Sequence, residues 1–576
     1  MKFQKFLERY FLAKFCLATM FTVALTSVLV QAQVRQNKKN AAKKPNIVFI
    51  MSDDHSYQAI SAYGGMLSKL APTPNIDKIA NGGIIYKKAF VENSLCTPSR
   101  ACLMTGLYSH QNGQRQLAEG IDSSKVFFSE LLQQAGYQTA IVGKWHMSTS
   151  PKGFNYYHIL DDQGKYYNPT FKGPETGYKF VQEQGYATDL ITEHALDFLE
   201  KRDKGKPFCL MIHHKAPHRN WMPPGKYLDL YNDVNFPVPE TFFDDYQSRC
   251  DAAKTQKMSI SNDMELVQDL KVEELKDQLV SPYDKLSYTF LMSELGRLTP
   301  EQRAAWDKHY KLRNQQFINA KLTGKALALW KYQEFLKDYL RCIKSVDDGV
   351  GAILKYLKDN NLENNTMVVY TSDQGFYIGE HNWFDKRFMY EESFRTPLLI
   401  RYPKAIKPGT QSEALVQNID YAPTFLSLAG IKKPEQMSGT SLDPTFKGPK
   451  PAGWRSDLYY HYYDYPAFHL VRKHDGIRTE RYKLIHFYGK GGMRGATTKY
   501  QTTPGYREYT VLKLLNNAGY VTNDADIDCN ELYDLKTDPQ ELHNLFGKPG
   551  YEKLTADLQK RLDGYRKNLK VPTDEF

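Results

Sequence analysis

The residues best suited to chemistry fall within Asn93–Gly106, which reads Asn-Ser-Leu-Cys-Thr-Pro-Ser-Arg-Ala-Cys-Leu-Met-Thr-Gly. Cys96 is a candidate nucleophile, Pro98 a rigid position and Arg100 a fixed cation. Residues four apart share one face of a helix, so a helix starting at Cys96 sets thiol beside guanidinium. A helix N-terminus binds anions and, with an Arg nearby, lowers a thiol's pKa. A buried Cys at a strand-to-helix junction is the alternative reading of the same residues.

Four apolar runs end in equally reactive residues. Asn46–Met51 leads into Ser52-Asp53-Asp54-His55, and Thr139–Val142 into Gly143-Lys144-Trp145-His146. Pro207–Ile212 leads into His213-His214-Lys215-Ala216-Pro217-His218, and Thr366–Tyr370 into Thr371-Ser372-Asp373-Gln374-Gly375. Short, nearly continuous apolar runs read as strands buried on both faces. Ligands of parallel α/β sheets sit beyond the carboxyl ends of the strands, so four strands here deliver carboxylates, cations and imidazoles to one rim. Asp53, Asp54, Asp373 and Gln374 form an oxygen-only donor set. Such a set suits calcium or magnesium, whereas zinc favours imidazole or thiolate.

Cys96-Thr97-Pro98-Ser99-Arg100 followed by Thr105-Gly106 resembles the signature of type I sulfatases. The resemblance implies an alkaline-phosphatase/sulfatase-like α/β fold: a central, mostly parallel sheet flanked by helices, with a smaller C-terminal α+β subdomain on an antiparallel sheet. It implies that Cys96 is oxidised to Cα-formylglycine by a formylglycine-generating enzyme, and that the hydrate is the nucleophile. One calcium ion is then held by Asp53, Asp54, Asp373, Gln374 and the modified Cys96. Many family members carry Asn where Gln374 stands. Two-zinc alkaline-phosphatase-type enzymes place His beside the Asp, and here Gln374 follows Asp373.

By the same resemblance Arg100 orients the modified residue, and Lys144 and Lys386 bind sulfate oxygens. His146, in Gly-Lys-Trp-His, takes a proton as sulfate is released. His218, in Ala-Pro-His, protonates the leaving alcohol, although His213 and His214 lie nearer the strand end. Gly153-Phe154-Asn155-Tyr156-Tyr157, the Asp162–Pro169 run, Tyr463-Asp464-Tyr465-Pro466 and Gly476–Lys483 resemble the N-acetylglucosamine-6-sulfatase branch. Gln163, Asp385, Arg387 and His469 are the implied sugar-binding residues. The alternatives are a sulfatase of another sulfated sugar position, a phosphodiester or phosphonate hydrolase of the same superfamily, or a glycan-binding protein on an inactive scaffold.

These residues need a large scaffold. The chain has 576 residues, 41% of them hydrophobic, enough for one large domain or two. A net charge of +11 favours polyanionic partners, and no nucleic-acid-binding module is present. Lys2, Lys5, Arg9 and Lys14 precede the apolar run Phe15–Val30, and Val30-Gln31-Ala32 offers a cleavage step. Residues 1–32 therefore read as an export signal, 33–44 as a basic linker, and the mature protein as periplasmic or extracellular with no membrane span. The body divides into 45–453 and 454–576. A Lys-, Glu- and Leu-rich stretch at 242–344, helical at Met264–Leu279 and Thr299–Lys311, reads as an excursion flanking the cleft or as solvated decoration. Pro397–Arg401 is a fifth strand. Short aromatic alternations at Leu458–Tyr463 and Tyr482–Tyr488 suggest the antiparallel sheet, and Leu554–Lys567 a terminal amphipathic helix. Apart from Cys16 and Cys96, five cysteines without paired spacing predict few or no disulfides and mostly buried thiols.

Overall fold

The computed structural model describes residues 1–4, 6–11, 14, 44–147 and 149–572. The apolar run at 15–30, the cleavage step at Ala32 and the linker up to residue 43 lie outside the described residues. The chain divides into two units, Met1–Lys44 and Pro45–Phe576.

The second unit is built on a ten-stranded sheet. In chain order its strands are β1 (Asn46–Ser52), β2 (Ile84–Tyr86), β3 (Gln138–Gly143), β4 (Tyr156–Leu160), β5 (Thr170–Lys172), β6 (Val181–Gln182), β7 (Phe208–His213), β8 (Thr366–Ser372), β9 (Leu398–Arg401) and β10 (Thr410–Ser412). Their order across the sheet is β10-β2-β9-β8-β1-β7-β3-β4-β5-β6. The central five, β8 to β4, are parallel. β1 alternates between two cores, Val48 and Ile50 on one face, Ile47, Phe49 and Met51 on the other. This is why its sequence is apolar throughout.

Helices cover both faces. α1 (Cys96–Thr105) and α2 (Phe128–Gln134) pack with the Phe49 face. α3 (Ala187–Lys201) and the long α5 (Gly324–Asp359) pack with the Val48 face, and α4 (Pro300–Ala320) adds Trp306 and Tyr310 to it. A four-stranded antiparallel sheet follows: β11 (Asp457–Tyr462), β12 (His474–Thr479), β13 (Tyr482–Gly489) and β14 (Ile527–Asp534). α6 (Arg507–Asn517) and α7 (Glu552–Leu569) complete the C-terminal part.

Three sequence expectations change. The strand at 398–401 runs antiparallel to β8, because the chain between them stays over the carboxyl rim instead of crossing back. Met264–Leu279 is turns and a 3-10 segment, Glu273–Gln278, rather than an α-helix. There Lys271 takes a φ of 59° and buries its ammonium on Asp338 at 2.8 Å, so a tertiary ion pair overrides helix propensity. The 242–344 stretch is not decoration, since Trp306, Tyr332, Phe335 and Tyr339 are fully buried in the main core. The expectation of few disulfides and mostly buried thiols holds among the described residues: Cys250 joins Cys529, 279 residues apart, a pairing that only the fold brings into reach, and Cys96, Cys102, Cys209 and Cys342 are free and buried.

Strand register fixes the site. Ser52 pairs with Ser372, and Met51 and Gly143 both pair with His213. Asp53-Asp54, Asp373-Gln374, Lys144-Trp145-His146 and His214–His218 therefore all leave the sheet at one level. Asp54 leaves with a φ of 64°, and Tyr339 of α5 pins it by donating to the Asp54 carbonyl at 2.7 Å and accepting from Ser56 N–H at 2.8 Å. Tyr339→Phe strands both buried backbone groups and is expected to cost about 1–3 kcal/mol, read as a lower urea midpoint with unchanged slope.

Candidate active site

At the rim, carboxylate oxygens of Asp53, Asp54 and Asp373 lie within 4.8 Å of one another, and all three side chains are buried. Like charges this close need cations, and three arrive from separate elements. Arg100 of α1 donates to Asp373 Oδ2 at 2.9 and 3.1 Å and lies 3.5 Å from Asp53. Lys144 pairs with Asp53, and Lys386 reaches both oxygens of Asp54 at 2.6 and 2.7 Å. Gln374 donates to Asp54 Oδ1 at 2.5 Å.

The balance differs at each carboxylate. Burial pushes Asp53 up, but Lys144, then His218, Arg100 and Lys386, outweigh it and hold the group well below the usual range. Asp54 rises to about 7 through burial, which Lys386 opposes and Asp53, Asp385 and Asp373 reinforce. Asp373 is raised by burial and by Asp53 despite Arg100. Two buried oxygens, Asp53 Oδ1 and Gln374 Oε1, have no hydrogen-bond partner. An all-oxygen cluster with orphaned oxygens fits a hard divalent cation, calcium or magnesium, and not zinc.

Cys96 opens α1, and its Sγ lies within 4.8 Å of donor atoms of Asp53 and His218. The expected lowering of its pKa does not occur: burial pushes the thiol up to about 11, against Lys386 and Lys144. Desolvation outweighs the cations, so unmodified Cys96 is a neutral thiol. Ser99 Oγ ties the same turn to the Asp373 carbonyl, and Asn418 Nδ2 donates to Ser99 Oγ at 2.9 Å.

The histidines separate by position. His218 Nε2 is 3.8 Å from Asp54 Oδ2, and its Nδ1–H donates to the Arg219 carbonyl at 2.5 Å. His213 is fully buried beside Arg100 and the Lys144 carbonyl, 3.4 and 3.2 Å away. His214 lies with its Cε1 toward Gly349 of α5. Only His218 of the three is grouped with Cys96 and Asp53. His146, at a φ of 51°, meets Thr97 Oγ1 at 3.3 Å and Asp162 at 3.6 Å. Burial, then Lys144 and Arg100, holds its ring well below the usual histidine range, so it is neutral and able to accept a proton.

A cavity of about 460 Å³ opens beside these groups, lined by Thr97, His146, Gln163 and Arg387 among others. Gln163 Oε1 accepts from Lys144 at 2.5 Å. Asp385 and Arg387, on either side of Lys386, both have left-handed backbones, φ 79° and 105°. His469 Nε2 lies 3.2 Å from Asp385, and its Nδ1–H donates to the Lys257 carbonyl at 2.6 Å. Burial favours a protonated Asp385, but His469, Lys386 and Arg387 outweigh it. The excursion at 242–344 does not line this cavity. Its far wall is Phe468, Val511 and Leu512, with Arg507 of α6 paired to Asp162 at 2.8 Å. Sequence reasoning missed α6; the apolar spacing Val511, Leu512, Leu515 is the one signal that points to it.

A family model described as sulfatase matches residues 45–431, and one described as the C-terminal part of N-sulphoglucosamine sulphohydrolase matches 379–494 and 518–568. The chain belongs to the sulfatase family. The N-acetylglucosamine-6-O-sulfatase of Bacteroides thetaiotaomicron is 44% identical to this sulfatase over 549 residues, 94% of this chain and 90% of its own length. The human N-acetylglucosamine-6-sulfatase is 29% identical over 446 residues, 73% of this chain and 67% of its own. A solved structure described as in complex with its substrate D-glucosamine-2-N,6-O-disulfate is 44% identical, with a TM-score of 0.81 over 92% of this chain and 99% of that one. This sulfatase is a hydrolase of sulfate esters with the expected fold, a mostly parallel sheet flanked by helices and a smaller antiparallel sheet.

Removing Arg100 leaves Asp373 buried without its main countercharge. Arg100→Ala is expected to lower stability by about 3–5 kcal/mol. Calorimetry of the purified variant checks this, and an unchanged Tm would contradict the ion-pair assignment.

Proposed function

We propose that this sulfatase is exported and hydrolyses the 6-O-sulfate of N-acetylglucosamine residues in glycosaminoglycan or mucin-type glycans. The observation carrying this reading is 44% identity, across nearly the whole of both chains, to a relative named for that activity. A similar structure described with a 6-O-sulfated glucosamine adds support. The basic, apolar and small-residue pattern of 1–32 supports export, and among the described residues no helix is long and apolar enough to cross a membrane.

Converted to Cα-formylglycine by a formylglycine-generating enzyme, residue 96 would offer a geminal diol, one hydroxyl to attack sulfur and the other to expel sulfate. Calcium held by Asp53, Asp54, Asp373, Gln374 and residue 96 would supply Lewis acidity. The remaining work belongs to ordinary side chains. Arg100 keeps residue 96 oriented against Asp373. Lys144 and Lys386 turn from the carboxylates to sulfate oxygens; each such oriented cation is worth about 3–4 kcal/mol in the transition state. Burial holds the His218 ring well below the usual histidine range against Asp53; bound sulfate favours its charged form, and His218 then carries a proton to the departing sugar oxygen. His146, kept neutral by burial and neighbouring cations, accepts the proton whose loss releases sulfate. Gln163 holds Lys144 in place, while Arg387, flanked by Asp385 and His469, faces the sugar from the cavity wall.

A panel of monosulfated sugars differing in sulfate position and C4 stereochemistry tests the substrate. Release from N-acetylglucosamine-6-sulfate is expected; release from another member and none from this one overturns the assignment. Mass spectrometry of active enzyme is expected to find residue 96 lacking its thiol, and Cys96→Ala to abolish turnover with an unchanged Tm. Calcium is expected to raise the Tm of the wild type and not of Asp373→Asn; equal shifts in both would remove the metal from this site.

A further inference from the structure

Away from the nucleophile, two histidines share one carboxylate. His158 of β4 and His194 of α3 stack with ring centroids 3.5 Å apart and planes 23° from parallel. His158 Nε2 lies 2.7 Å from Glu183 Oε1, and His194 Nε2 2.7 Å from Glu183 Oε2. A second carboxylate, Glu175, places Oε2 3.4 Å from His158 Nδ1. His158 is 2% exposed, and that buried Nδ1 makes no hydrogen bond. A Cβ on Gly173 would come within 2.3 Å of it, so the ring sits in a cradle that fixes its orientation. The Glu183 and His194 side chains, 22% and 21% exposed, leave one side open to water.

A neutral imidazole has one N–H, yet His158 faces a carboxylate at each nitrogen. A divalent cation resolves this. It takes the Nε2 lone pairs of both rings and an oxygen of Glu183, and it confines the His158 proton to Nδ1, facing Glu175. A carboxylate behind a ligating histidine is the usual means of fixing the tautomer. Two imidazoles, one carboxylate and an open position form a zinc-type set, unlike the oxygen-only cluster at Asp53. One donor atom from each of His158, Glu183 and His194 already lies within 4.8 Å of the others. Tetrahedral zinc separates its ligands by roughly 3.3 Å and lies near the plane of each ring, so the 2.7 Å contacts open by roughly 0.6 Å and His194, the more exposed ring, turns out of the stack.

We infer that His158, His194 and Glu183 form a second metal site, of the zinc class, with Glu175 holding the His158 tautomer. The site joins the β4–β6 edge of the sheet to α3. Lys172 at the end of β5 and Phe180 just before β6 line the cavity, so the bound ion stiffens one wall of it.

The full chain in calcium-containing buffer, titrated with zinc by calorimetry, tests this. One zinc per chain is expected to bind, at least tenfold more weakly in His194→Gln and about tenfold more weakly in Glu175→Gln. Zinc is expected to raise the Tm of wild type and of Cys96→Ala, which separates this site from the Asp53, Cys96 and His218 group at the rim. His194 lies partly exposed on a helix, so its variant folds. No zinc bound, or equal zinc affinity in wild type and His194→Gln, overturns the proposal.

Discussion

Three carboxylates confined to one buried point are the constraint on which this molecule depends. Burying a single unpaired carboxylate costs several kcal/mol, and three together repel as well. Asp53, Asp54 and Asp373 are tolerated because Arg100, Lys144 and Lys386 come from three different parts of the chain to meet them. Asp54 and Asp373 are still held above the usual carboxylate range, by burial first and by neighbouring carboxylates second, so these cations do not offset the whole cost. The unsatisfied oxygens on Asp53 and Gln374 mark where a further positive charge belongs. Stability and chemistry therefore compete for the same charges, and the reactive rim is strained by design of its charge pattern rather than by poor packing.

The surroundings hold this arrangement in place. Asp54, His146, Asp385 and Arg387 all take left-handed backbones, each disfavoured for a side-chain-bearing residue. Gly375, directly after Asp373-Gln374, sits where a Cβ would come within 2.2 Å of the Glu392 carbonyl, so only glycine fits. Buried contacts oppose relaxation: Tyr339 on the Asp54 carbonyl, Asn418 on Ser99, and Tyr460 of the second sheet on the Arg387 carbonyl at 2.5 Å. The C-terminal sheet thus does more than cap the domain. It braces the Lys386 segment and brings Phe468 and α6 to the cavity.

Much of the site was legible because its residues follow strands whose apolar character is unmistakable. A run such as Ile47–Met51 must lie inside a sheet, and Asp53-Asp54 must then lie at its end. The Cys96–Gly106 signature marked the helix that opens on Cys96 at the rim. Less legible were contacts set by distance in space. Nothing near Cys250 points to Cys529, and nothing near Asp162 points to Arg507. The Met264–Leu279 stretch has helical composition, yet a buried Lys271–Asp338 pair decided its path. The thiol at residue 96 likewise went against its local cues, since burial is invisible to a helix-end argument.

The sequence by itself determined the strand-end chemistry, the family and the oxygen-only character of the donor set, because side-chain type and period-two burial are local properties. The tertiary structure alone decided which histidine of three stands beside Cys96, which residues wall the cavity, and that His158, Glu183 and His194 meet at all. Those outcomes depend on strand register and on loops returning across the sheet, and distances between remote segments are not written in either segment.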